Sequence, residues 1–313
     1  MKVTVLSPTQ GGPCTWAKNL VYFLNSHTIT ANHVFDVKGL ILSPFFRGTD
    51  IIHAAVPVFH SIWGKPIVLT IKGDFFREKR TWKIPYRLAI KNADVITTPS
   101  IFLKNKLNLR DAHVIPNAIY AQNYEMTDYS DGSTIDLITV TNFAFKDKSE
   151  GVLNILKNIE EIRKSTDKKI SYTVVGGGPF LQGVINAARD SKISVQFTGH
   201  VSKPGVLLQK SDIFVYDSLH DNFPNVILEA MASGLPVITN NVGAVEEMID
   251  RDSSGFIAAD NEEYQKFLFR LISDPALRET TGREARKTAG EKFDWNRIGS
   301  QYITIYEDLL SSS

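Results

Sequence analysis

The chain has 313 residues, of which 35 are basic, 34 are acidic and 43% are hydrophobic, and it contains one cysteine. This length is sufficient for two domains with separate hydrophobic cores. A single cysteine excludes a disulfide scaffold and a cysteine-rich metal site, and it is typical of a reducing compartment. No apolar run approaches the roughly 18–20 residues that span a bilayer. We therefore expect a globular, cytoplasmic protein, with no signal peptide because its first residues enter a strand directly.

The two halves of the chain differ in charge. Residues 1–132 carry 15 basic and 9 acidic side chains, whereas the remainder carries 20 basic and 25 acidic ones. Such asymmetry indicates that the halves meet different partners, with chance composition as the alternative interpretation. The total charge of +1 is too small to favour nucleic acid as a partner.

Short apolar runs alternate with helix-like stretches along the whole chain. In the first half the predicted strands are residues 2–7, 51–53, 67–71, 95–98 and 114–115, with one helix after Gly12 and another ending near Asn92. In the second half the predicted strands are residues 135–140, 171–175, 195–198, 213–216 and 236–239. The helices predicted there are residues 151–163, 179–190, 225–233, 261–273 and 295–310. This alternation predicts parallel sheets that are covered by helices on both faces.

A polar, turn-rich stretch at residues 125–133 predicts a linker between two domains. We therefore expect an N-terminal Rossmann-like domain over residues 1–130, a second one over residues 131–293, and a final helix over residues 294–313. The predicted fold class is α/β with two doubly wound domains. Small-molecule sites commonly lie in the cleft between two such domains.

The strongest functional signal is the segment 218–238, SLHDNFPNVILEAMASGLPVI. Asn225 begins a helix whose first backbone N–H groups can bind an anion. Asp221 lies in the loop before this helix, and Glu229 lies within it. An amide-lined phosphate cradle with two nearby carboxylates suits the phosphates and hydroxyls of a sugar nucleotide. The alternative is a capped core helix with a solvated Asp and Glu.

Seven short motifs in the second half follow one another in a characteristic order. They are residues 173–179, 197–201, 211–215, 218–238, 242–249, 254–257 and 293–295. In this order they resemble the retaining GT-B glycosyltransferases of family 4, in which an acidic residue precedes a Glu-Ala-Met-Ala-x-Gly-x-Pro-Val stretch. The resemblance implies two Rossmann-like domains facing a central cleft, with a final helix that crosses back onto the first domain. It also implies sugar transfer from a nucleotide sugar, with retention and without metal.

The resemblance assigns roles to residues of the second half. Asp221 would lie near the transferred sugar, and Lys148 would neutralise the diphosphate leaving group, with Lys146 as the alternative because the spacing fits either. Glu229 would accept hydrogen bonds from the ribose hydroxyls. The other donor-binding residues that the resemblance implies are Asn142, Gly177, Gly199, Phe223, Pro224, Asn225 and Val226.

Three of the implied site residues depart from the family's usual pattern. Asp221 replaces Glu and is one methylene shorter, and Asn142 replaces Arg, so one of two cations for the leaving group is absent. Lys72 stands where the family often has a His that donates a hydrogen bond to the donor sugar. As a catalytic residue, a lysine there would reach a phosphate or an anionic sugar instead.

The first half resembles the family more loosely. Gly11 and Gly12 follow the first strand and resemble the glycine pair whose backbone approaches the donor phosphates, with a plain turn as the alternative. His53 and Asp74 occupy positions that we assign to the acceptor side. The implied acceptor is a glycan, a lipid-linked molecule or a small molecule.

Residues 75–91, FFREKRTWKIPYRLAIK, combine basic and aromatic side chains. The basic residues recur every four positions at Lys79, Lys83, Arg87 and Lys91. This pattern suits peripheral contact with an anionic lipid surface, at the inner face of a membrane, or with a lipid-linked acceptor. The alternative is a solvated helix face beside core aromatics, and Pro85 argues against one continuous helix.

These observations lead to one main hypothesis and two alternatives. The main hypothesis is a retaining hexosyltransferase that takes a UDP- or GDP-linked sugar as substrate and needs no other cofactor. A non-catalytic relative that only binds nucleotide sugars is the first alternative, because Lys72, Asn142 and Asp221 all depart from the pattern. A GT-B epimerase or phosphorylase is the second. No metal is predicted, since neither a His-Glu-x-x-His motif nor paired cysteines occur.

Overall fold

A computed structural model describes residues 1–35, 48–58, 64–78, 82–129 and 132–311. The chain divides into two compact units. The first consists of Met1–Ala118 together with Trp295–Ser313, and the second of Ile119–Asp294. Each unit is built from short strands that alternate with helices.

The described part of the first unit contains a parallel sheet. Its strands are β1 (Lys2–Ser7), β2 (Thr30–Phe35), β3 (Ile51–Ala54), β4 (Ile67–Thr70), β5 (Val95–Thr98) and β6 (His113–Val114). They lie in the order β2-β1-β3-β4-β5-β6, and each neighbouring pair is parallel. The helices of this unit are Gly12–Ser26, Phe75–Glu78, Lys83–Asn92, Ile101–Lys106 and Trp295–Ser311.

The described part of the second unit contains another parallel sheet. Its strands are β7 (Thr134–Val140), β8 (Lys169–Val175), β9 (Ser194–Gly199), β10 (Ile213–Tyr216), β11 (Val237–Asn240) and β12 (Phe256–Ala258). They lie in the order β12-β11-β10-β7-β8-β9. The helices are Lys146–Ile162, Leu181–Ala188, Gly205–Gln209, Asn225–Ala232, Val245–Met248, Asn261–Ser273 and Pro275–Lys292. The chain order reverses between β7 and β10, and such a reversal opens a crevice at the carboxyl ends of these two strands.

The apolar runs of the sequence form the centres of both sheets because parallel strands are buried on both faces. In the first unit Leu6, Ile52 and Leu69 lie in one hydrophobic core. In the second unit Leu137 and Val215, on the two central strands, lie in another. The expected fold class, α/β with two Rossmann-like doubly wound domains, is confirmed.

The boundary between the units lies earlier in the chain than the predicted boundary at residue 130. Residues 119–129 belong to the second unit. The Thr127 hydroxyl donates to the carbonyl of Ser211 at 2.7 Å, and the Tyr129 hydroxyl donates to the carbonyl of Gly234 at 2.6 Å. The polar side chains that suggested a linker therefore fasten this segment to the second unit.

The final helix, Trp295–Ser311, belongs to the first unit. The Trp295 ring lies 6.2 Å from the Phe23 ring between centroids, and the Tyr306 hydroxyl is hydrogen-bonded to His53. Within the described residues, no helix is both long and apolar enough to cross a bilayer.

Candidate functional site

Three side chains meet at the carboxyl ends of β7 and β10. Lys148 lies in the first turn of the helix that follows β7, Tyr216 is the last residue of β10, and Asp221 lies in the loop after it. The Lys148 ammonium donates to the Tyr216 hydroxyl and to Asp221 Oδ2. The Tyr216 hydroxyl donates to the same Asp221 oxygen at 2.5 Å. This cluster therefore occupies the point of the sheet at which parallel α/β folds bind ligands.

The cluster is largely shielded from solvent. Lys148 is 8% exposed and Tyr216 is 1% exposed, whereas the Asp221 side chain keeps 20% of its surface exposed. The Lys148 ammonium also lies 5.0 Å from the centroid of the Tyr216 ring, a distance at which a cation is attracted to the ring face. Burial and the neighbouring Asp221 raise the pKa of Tyr216 well above its usual value, so its hydroxyl stays protonated and continues to donate.

The close approach of the helix Lys146–Ile162 to β10 depends on Gly151. A Cβ atom at this position would lie 2.0 Å from the carbonyl oxygen of Asp217. Only glycine therefore lets this helix carry Lys148 to the end of β10. The Asp217 carboxylate accepts a hydrogen bond from Asn154 Nδ2 at 2.7 Å, and burial raises the pKa of Asp217 to about 6.

The two lysines that the sequence left as alternatives lie in different environments. Lys146 is exposed and forms an ion pair with Glu150 one turn further along, at 2.7 Å. Lys148 is buried and paired with Asp221. The structure thus brings Lys148, and not Lys146, to Asp221. That Lys148 meets the leaving group stays a prediction.

The helix Asn225–Ala232 begins beside the cluster. Its N-cap residue is Pro224, whose side chain cannot cap the first N–H groups, and its first turn carries no acidic residue. Asn225 and Val226 are partly exposed, whereas Phe223 and Pro224 are buried and fix the start of the helix. A helix N-terminus of this kind attracts phosphate.

Glu229 lies in the same helix and is partly buried. Burial raises the pKa of its carboxyl group to about 7. The Glu229 charge in turn contributes to the raised pKa of Tyr124, which burial alone already shifts upward. The carboxyl group therefore changes its protonation state close to neutral pH.

Three predicted donor-binding residues lie at the ends of β7, β8 and β9: Asn142 follows β7, Gly177 follows β8 and Gly199 ends β9. The Gly177 carbonyl accepts from the Phe143 N–H at 3.0 Å, and the Gly199 carbonyl accepts from the Gly176 N–H at 2.8 Å. Asn142 is exposed, and its side-chain oxygen accepts a backbone N–H of its own loop at 3.3 Å. All three lie at the carboxyl edge of the second sheet. That they bind the donor stays a prediction.

In the first unit, Lys72 follows β4. Its ammonium donates to Asn117 Oδ1 at 2.7 Å and lies 4.5 Å from the centroid of the Trp16 ring. Burial lowers the pKa of Lys72 well below its usual value. Within the described residues, no carboxylate forms an ion pair with this lysine.

His53 lies on β3 and is completely buried. Its Nδ1 is hydrogen-bonded to the Tyr306 hydroxyl at 2.5 Å, and its Nε2 to the Thr70 hydroxyl at 2.6 Å. Burial, with a smaller contribution from Lys72, lowers the pKa of His53 well below its usual value. Both ring nitrogens are thus occupied within the unit. The acceptor-side role stays a prediction, and this geometry does not favour it.

Both carboxylate oxygens of Asp74 also have partners within the first unit. Its Oδ1 accepts the backbone N–H groups of Phe76 and Arg77 at 3.0 and 3.2 Å, and its Oδ2 lies 3.2 Å from the Lys106 ammonium. These contacts start the short helix Phe75–Glu78. An acceptor that bound Asp74 would have to share the carboxylate with them.

Gly11 and Gly12 follow β1 and are exposed. Gly11 precedes the helix Gly12–Ser26 with φ 85° and ψ −175°, a conformation that is essentially confined to glycine. Glycine is therefore required by the turn itself at Gly11. Contact with donor phosphates stays a prediction.

The segment 75–91 forms two separate helices in its described part, Phe75–Glu78 and Lys83–Asn92, while Lys79 lies outside the described residues. Pro85 does not end a helix. It lies in the first turn of the second one, where a missing N–H is tolerated. Phe75 is buried, and its ring stacks on Tyr86 at 4.5 Å.

Tyr216 is the member of the cluster that sequence reasoning missed. β10 is buried on both faces, so its apolar run gives no alternation that would single out one residue. The available signal is its position: a tyrosine at the carboxyl end of a central strand must find a partner for its buried hydroxyl.

A second concave region, of about 530 Å³, lies at the opposite edge of the same sheet. Its lining includes Thr134, Asp136 and Asp212 at the amino ends of β7 and β10. Because ligands in parallel α/β sheets bind at the carboxyl ends, we do not assign it to the candidate site. Within the described ranges, no three His, Cys, Asp or Glu side chains are arranged as metal ligands.

The sequence of the second unit matches a known family. Residues 136–288 match the profile of the glycosyl transferases group 1 family. This range contains the strands, helices and side chains of the cluster at β7 and β10. The second unit is therefore similar to the glycosyl transferases group 1 family over this range.

Comparison with solved structures identifies the fold as GT-B. The sucrose-phosphate synthase of Thermosynechococcus elongatus is similar over the whole of both chains, with a TM-score of 0.82 at 15% identity. The HepE protein of Anabaena, solved in complex with UDP, is also similar over the whole of both chains, with a TM-score of 0.78 at 17% identity.

Among curated proteins, the N-acetyl-alpha-D-glucosaminyl L-malate synthase of Bacillus anthracis is 29% identical over 241 residues. The match covers 72% of this chain and 62% of that protein. The chain thus spans less than two thirds of the length of this relative.

Proposed function

We propose that this protein is a family 4 glycosyltransferase that moves a hexosyl group from a UDP-sugar to a glycan, lipid-linked or small-molecule acceptor. The transfer retains the anomeric configuration and needs no metal. The observation that carries the proposal is the cluster of Lys148, Tyr216 and Asp221 beside the start of the helix Asn225–Ala232. The cluster and the helix together supply a cation that is held in place, a carboxylate and backbone amides at the carboxyl edge of the second sheet.

Each part of this arrangement suits one part of a sugar nucleotide. An ammonium group has three N–H donors, and Tyr216 and Asp221 take two of those of Lys148, which leaves one for a phosphate oxygen. The helix N-terminus adds amide donors for the same diphosphate. Charge that develops on the leaving diphosphate is then stabilised by groups already in place. Glu229 accepts from the ribose hydroxyls, one turn further along the helix.

The choice of UDP rests on a neighbour of the same fold. HepE, which is similar over its whole length, was solved with UDP. The choice between UDP and GDP is tested by thermal melting with each nucleotide and with its common sugar conjugates. Ligand at about a hundredfold above its dissociation constant adds about 2.7 kcal/mol to the free energy of unfolding, which raises Tm by several degrees. We expect UDP and UDP-sugars to raise Tm and GDP to leave it unchanged.

Turnover separates the transferase from a protein that only binds nucleotide sugars. We expect free UDP to be released from a UDP-sugar when acceptor candidates are added, in the presence of EDTA as well. Nuclear magnetic resonance of the product then reads the anomeric configuration. Binding of a UDP-sugar with no release of UDP for any acceptor would contradict catalysis, and release that requires an added metal ion would contradict metal independence.

We further propose that the first unit contacts an anionic membrane surface through the helix Lys83–Asn92. Ile84 and Leu88, four residues apart on this helix, are 69% and 46% exposed. Arg87 and Lys91 are exposed beside them, and residues 79–93 contain no acidic side chain. Exposed apolar side chains flanked by basic ones bind the interface of anionic bilayers.

Vesicle sedimentation tests this contact. We expect binding to vesicles that contain phosphatidylglycerol and not to pure phosphatidylcholine, and we expect salt to weaken it. The double variant Ile84→Glu and Leu88→Glu should abolish binding. Val206→Glu is the matched control, because Val206 is 61% exposed on a helix of the second unit. Equal binding of the double variant and the control would contradict the membrane contact.

A further inference from the structure

The Tyr216 hydroxyl lies between the two charged groups of the candidate site. It accepts a hydrogen bond from the Lys148 ammonium and donates one to Asp221 Oδ2, while Lys148 also donates to that oxygen. The other Asp221 oxygen accepts the N–H of Asn222 at 2.7 Å. The three side chains thus form a closed triangle in which Tyr216 is the neutral member.

We propose that Tyr216 is a positioning residue: it takes one N–H donor of the Lys148 ammonium that already contacts Asp221, and so fixes the direction of the remaining N–H toward the diphosphate of the donor. This inference rests on the proposed function. Tyr216 acts through Lys148 and does not itself contact the substrate.

The Lys148 ammonium and Asp221 Oδ2 each divide their hydrogen bonds between two partners. Asp221 Oδ2 receives one hydrogen bond from a charged donor and one from a neutral donor, and the Lys148 ammonium divides its donors between two oxygens. Without the phenol oxygen, this buried ammonium would have Asp221 as its remaining partner. A second N–H of the ammonium would then also turn toward the Asp221 carboxylate, because charge-assisted hydrogen bonds are the stronger ones. A donor diphosphate would then have to compete with Asp221 for the N–H donors of the ammonium.

The position of the hydroxyl is well fixed. Tyr216 is 1% exposed at the end of β10, and its backbone carbonyl accepts a hydrogen bond from the Tyr264 hydroxyl at 3.4 Å. The phenol also remains a donor at every working pH, since burial and Asp221 hold its pKa far above the usual value. Because the hydroxyl is fixed and stays protonated, it always accepts from Lys148 and donates to Asp221, and the ammonium keeps one orientation.

The test compares Tyr216→Phe with a matched control, Tyr172→Phe. Tyr172 is also 1% exposed, lies on β8 of the same sheet, and has its hydroxyl bonded to Thr139 at 2.7 Å, away from Lys148 and Asp221. Each variant therefore loses one buried hydroxyl from the same sheet. The probes are UDP and uridine, because uridine shares the base and ribose but lacks the phosphates.

We expect Tyr216→Phe to weaken UDP binding about tenfold, the usual size of an effect on a hydrogen bond to a charged group. Uridine affinity should stay unchanged, and Tyr172→Phe should change neither affinity. In the Lys148→Ala background, Tyr216→Phe should change UDP affinity less than about twofold, because its effect acts through the lysine. Unchanged UDP affinity, an equal loss for uridine, or the same loss without Lys148 would each overturn the proposal.

A failure of the proposed function is distinguishable from a failure of this inference. If the wild-type protein binds neither UDP nor uridine, the donor assignment is wrong, and the unfolding equilibrium then tests the triangle without any ligand. The effects of Tyr216→Phe and Lys148→Ala on the unfolding constant should depart from additivity by about fivefold or more, while Tyr172→Phe and Lys148→Ala should be additive. Additivity of the first pair would overturn the proposal.

Discussion

Lys148 and Asp221 lie 73 residues apart in the chain, and their side chains form an ion pair at the edge of the second sheet. One follows β7 and the other follows β10, the two strands between which the chain order reverses. The sheet topology therefore creates this contact, which no local pattern encodes. A donor diphosphate that reaches Lys148 must share the ammonium with Asp221.

The first prediction concerns the two neighbouring lysines. Lys148→Ala should weaken UDP binding between about tenfold and a hundredfold, because it removes a charge-assisted hydrogen bond. Turnover should fall by about 10²–10³, the size of loss seen when a group that stabilises a leaving charge is removed. Calorimetric titration with UDP and an assay of UDP release measure the two effects.

Lys146→Ala is the control for that variant. It removes only an exposed ion pair with Glu150 one turn away, and such pairs contribute little. We expect UDP affinity within about twofold of wild type. A loss with Lys146→Ala equal to that with Lys148→Ala would reverse the assignment of the two lysines.

The second prediction concerns the glycine that admits the helix carrying Lys148. Gly151→Ala places a Cβ atom 2.0 Å from the Asp217 carbonyl oxygen, so the helix must move outward. We expect a loss of about 1–3 kcal/mol in the free energy of unfolding, as for other overpacked sites. UDP affinity should fall as well, because Lys148 moves with the helix. Denaturant unfolding and UDP titration measure these changes.

Gly183→Ala provides the comparison. Gly183 lies in the helix Leu181–Ala188 of the same unit, and a Cβ there meets no atom within 4 Å. Alanine in an open helical position should stabilise the protein by up to about 1 kcal/mol. The second prediction is wrong if both variants change stability in the same direction.

Much of the fold could be predicted from the sequence, because buried parallel strands leave apolar runs that stand out from their surroundings. Two strands of the described sheets were missed, of which β12 is apolar but only three residues long. β2, TANHVF, is partly exposed and contains Asn and His, since it lies at the end of the strand order. The helix Pro275–Lys292 was missed because its buried face consists of small or polar residues, which give no apolar periodicity. They are Arg278, Thr281, Gly282, Ala285, Thr288 and Ala289.

The candidate site could be predicted only in part. A motif in one stretch of chain, such as Asp221 to Glu229, is visible because its spacing is local. The choice between Lys146 and Lys148 depended on which face of a helix meets β10, and the boundary of that helix was uncertain by several residues. Tyr216 contributes a contact that exists only after two strands become neighbours in space.

The third prediction concerns pH and Glu229. Burial raises the pKa of this carboxyl group to about 7, so near neutral pH it is partly protonated. Ribose hydroxyls donate more strongly to a carboxylate than to a carboxylic acid. We therefore expect the affinity for uridine, which has the ribose hydroxyls but no titrating phosphate, to rise between pH 6 and pH 8 in the wild type, and to show no such rise in Glu229→Gln. Titration calorimetry across this range measures the difference.

The free energy of unfolding should change with pH in the direction opposite to the ligand affinity. Between the ordinary value of 4.5 and about 7, the folded protein holds a proton on Glu229 that the unfolded chain has released, so stability falls as pH rises through this window. Glu229→Gln removes this pH-dependent loss of stability. Its free energy of unfolding should exceed that of the wild type by on the order of 2 kcal/mol at pH 8, and should equal it at pH 4. Asp217 titrates at about 6 in both proteins, so the difference between them isolates Glu229. A gain that is the same at both pH values would contradict this assignment.

The fourth prediction concerns Lys72, whose pKa burial lowers well below the usual value of 10.5. Between the lowered value and 10.5 the unfolded chain binds a proton that the folded protein does not, so stability rises with pH through this window. Lys72→Met keeps the aliphatic stem beside Trp16 and removes the cost of burying the ammonium. It should therefore be more stable than wild type at neutral pH, with the advantage shrinking as pH approaches 10.5, while turnover of the donor is lost.

Denaturant unfolding at neutral pH and at pH 10 measures the two stabilities. Lys18→Met is the matched control, because Lys18 is exposed on the helix Gly12–Ser26 of the same unit and its charge is already solvated. We expect it to leave both stability and turnover near wild type. Equal stability changes in the two variants would mean that Lys72 carries no burial cost. Full turnover in Lys72→Met would remove it from the catalytic residues and leave it a packing role against Trp16 and Asn117.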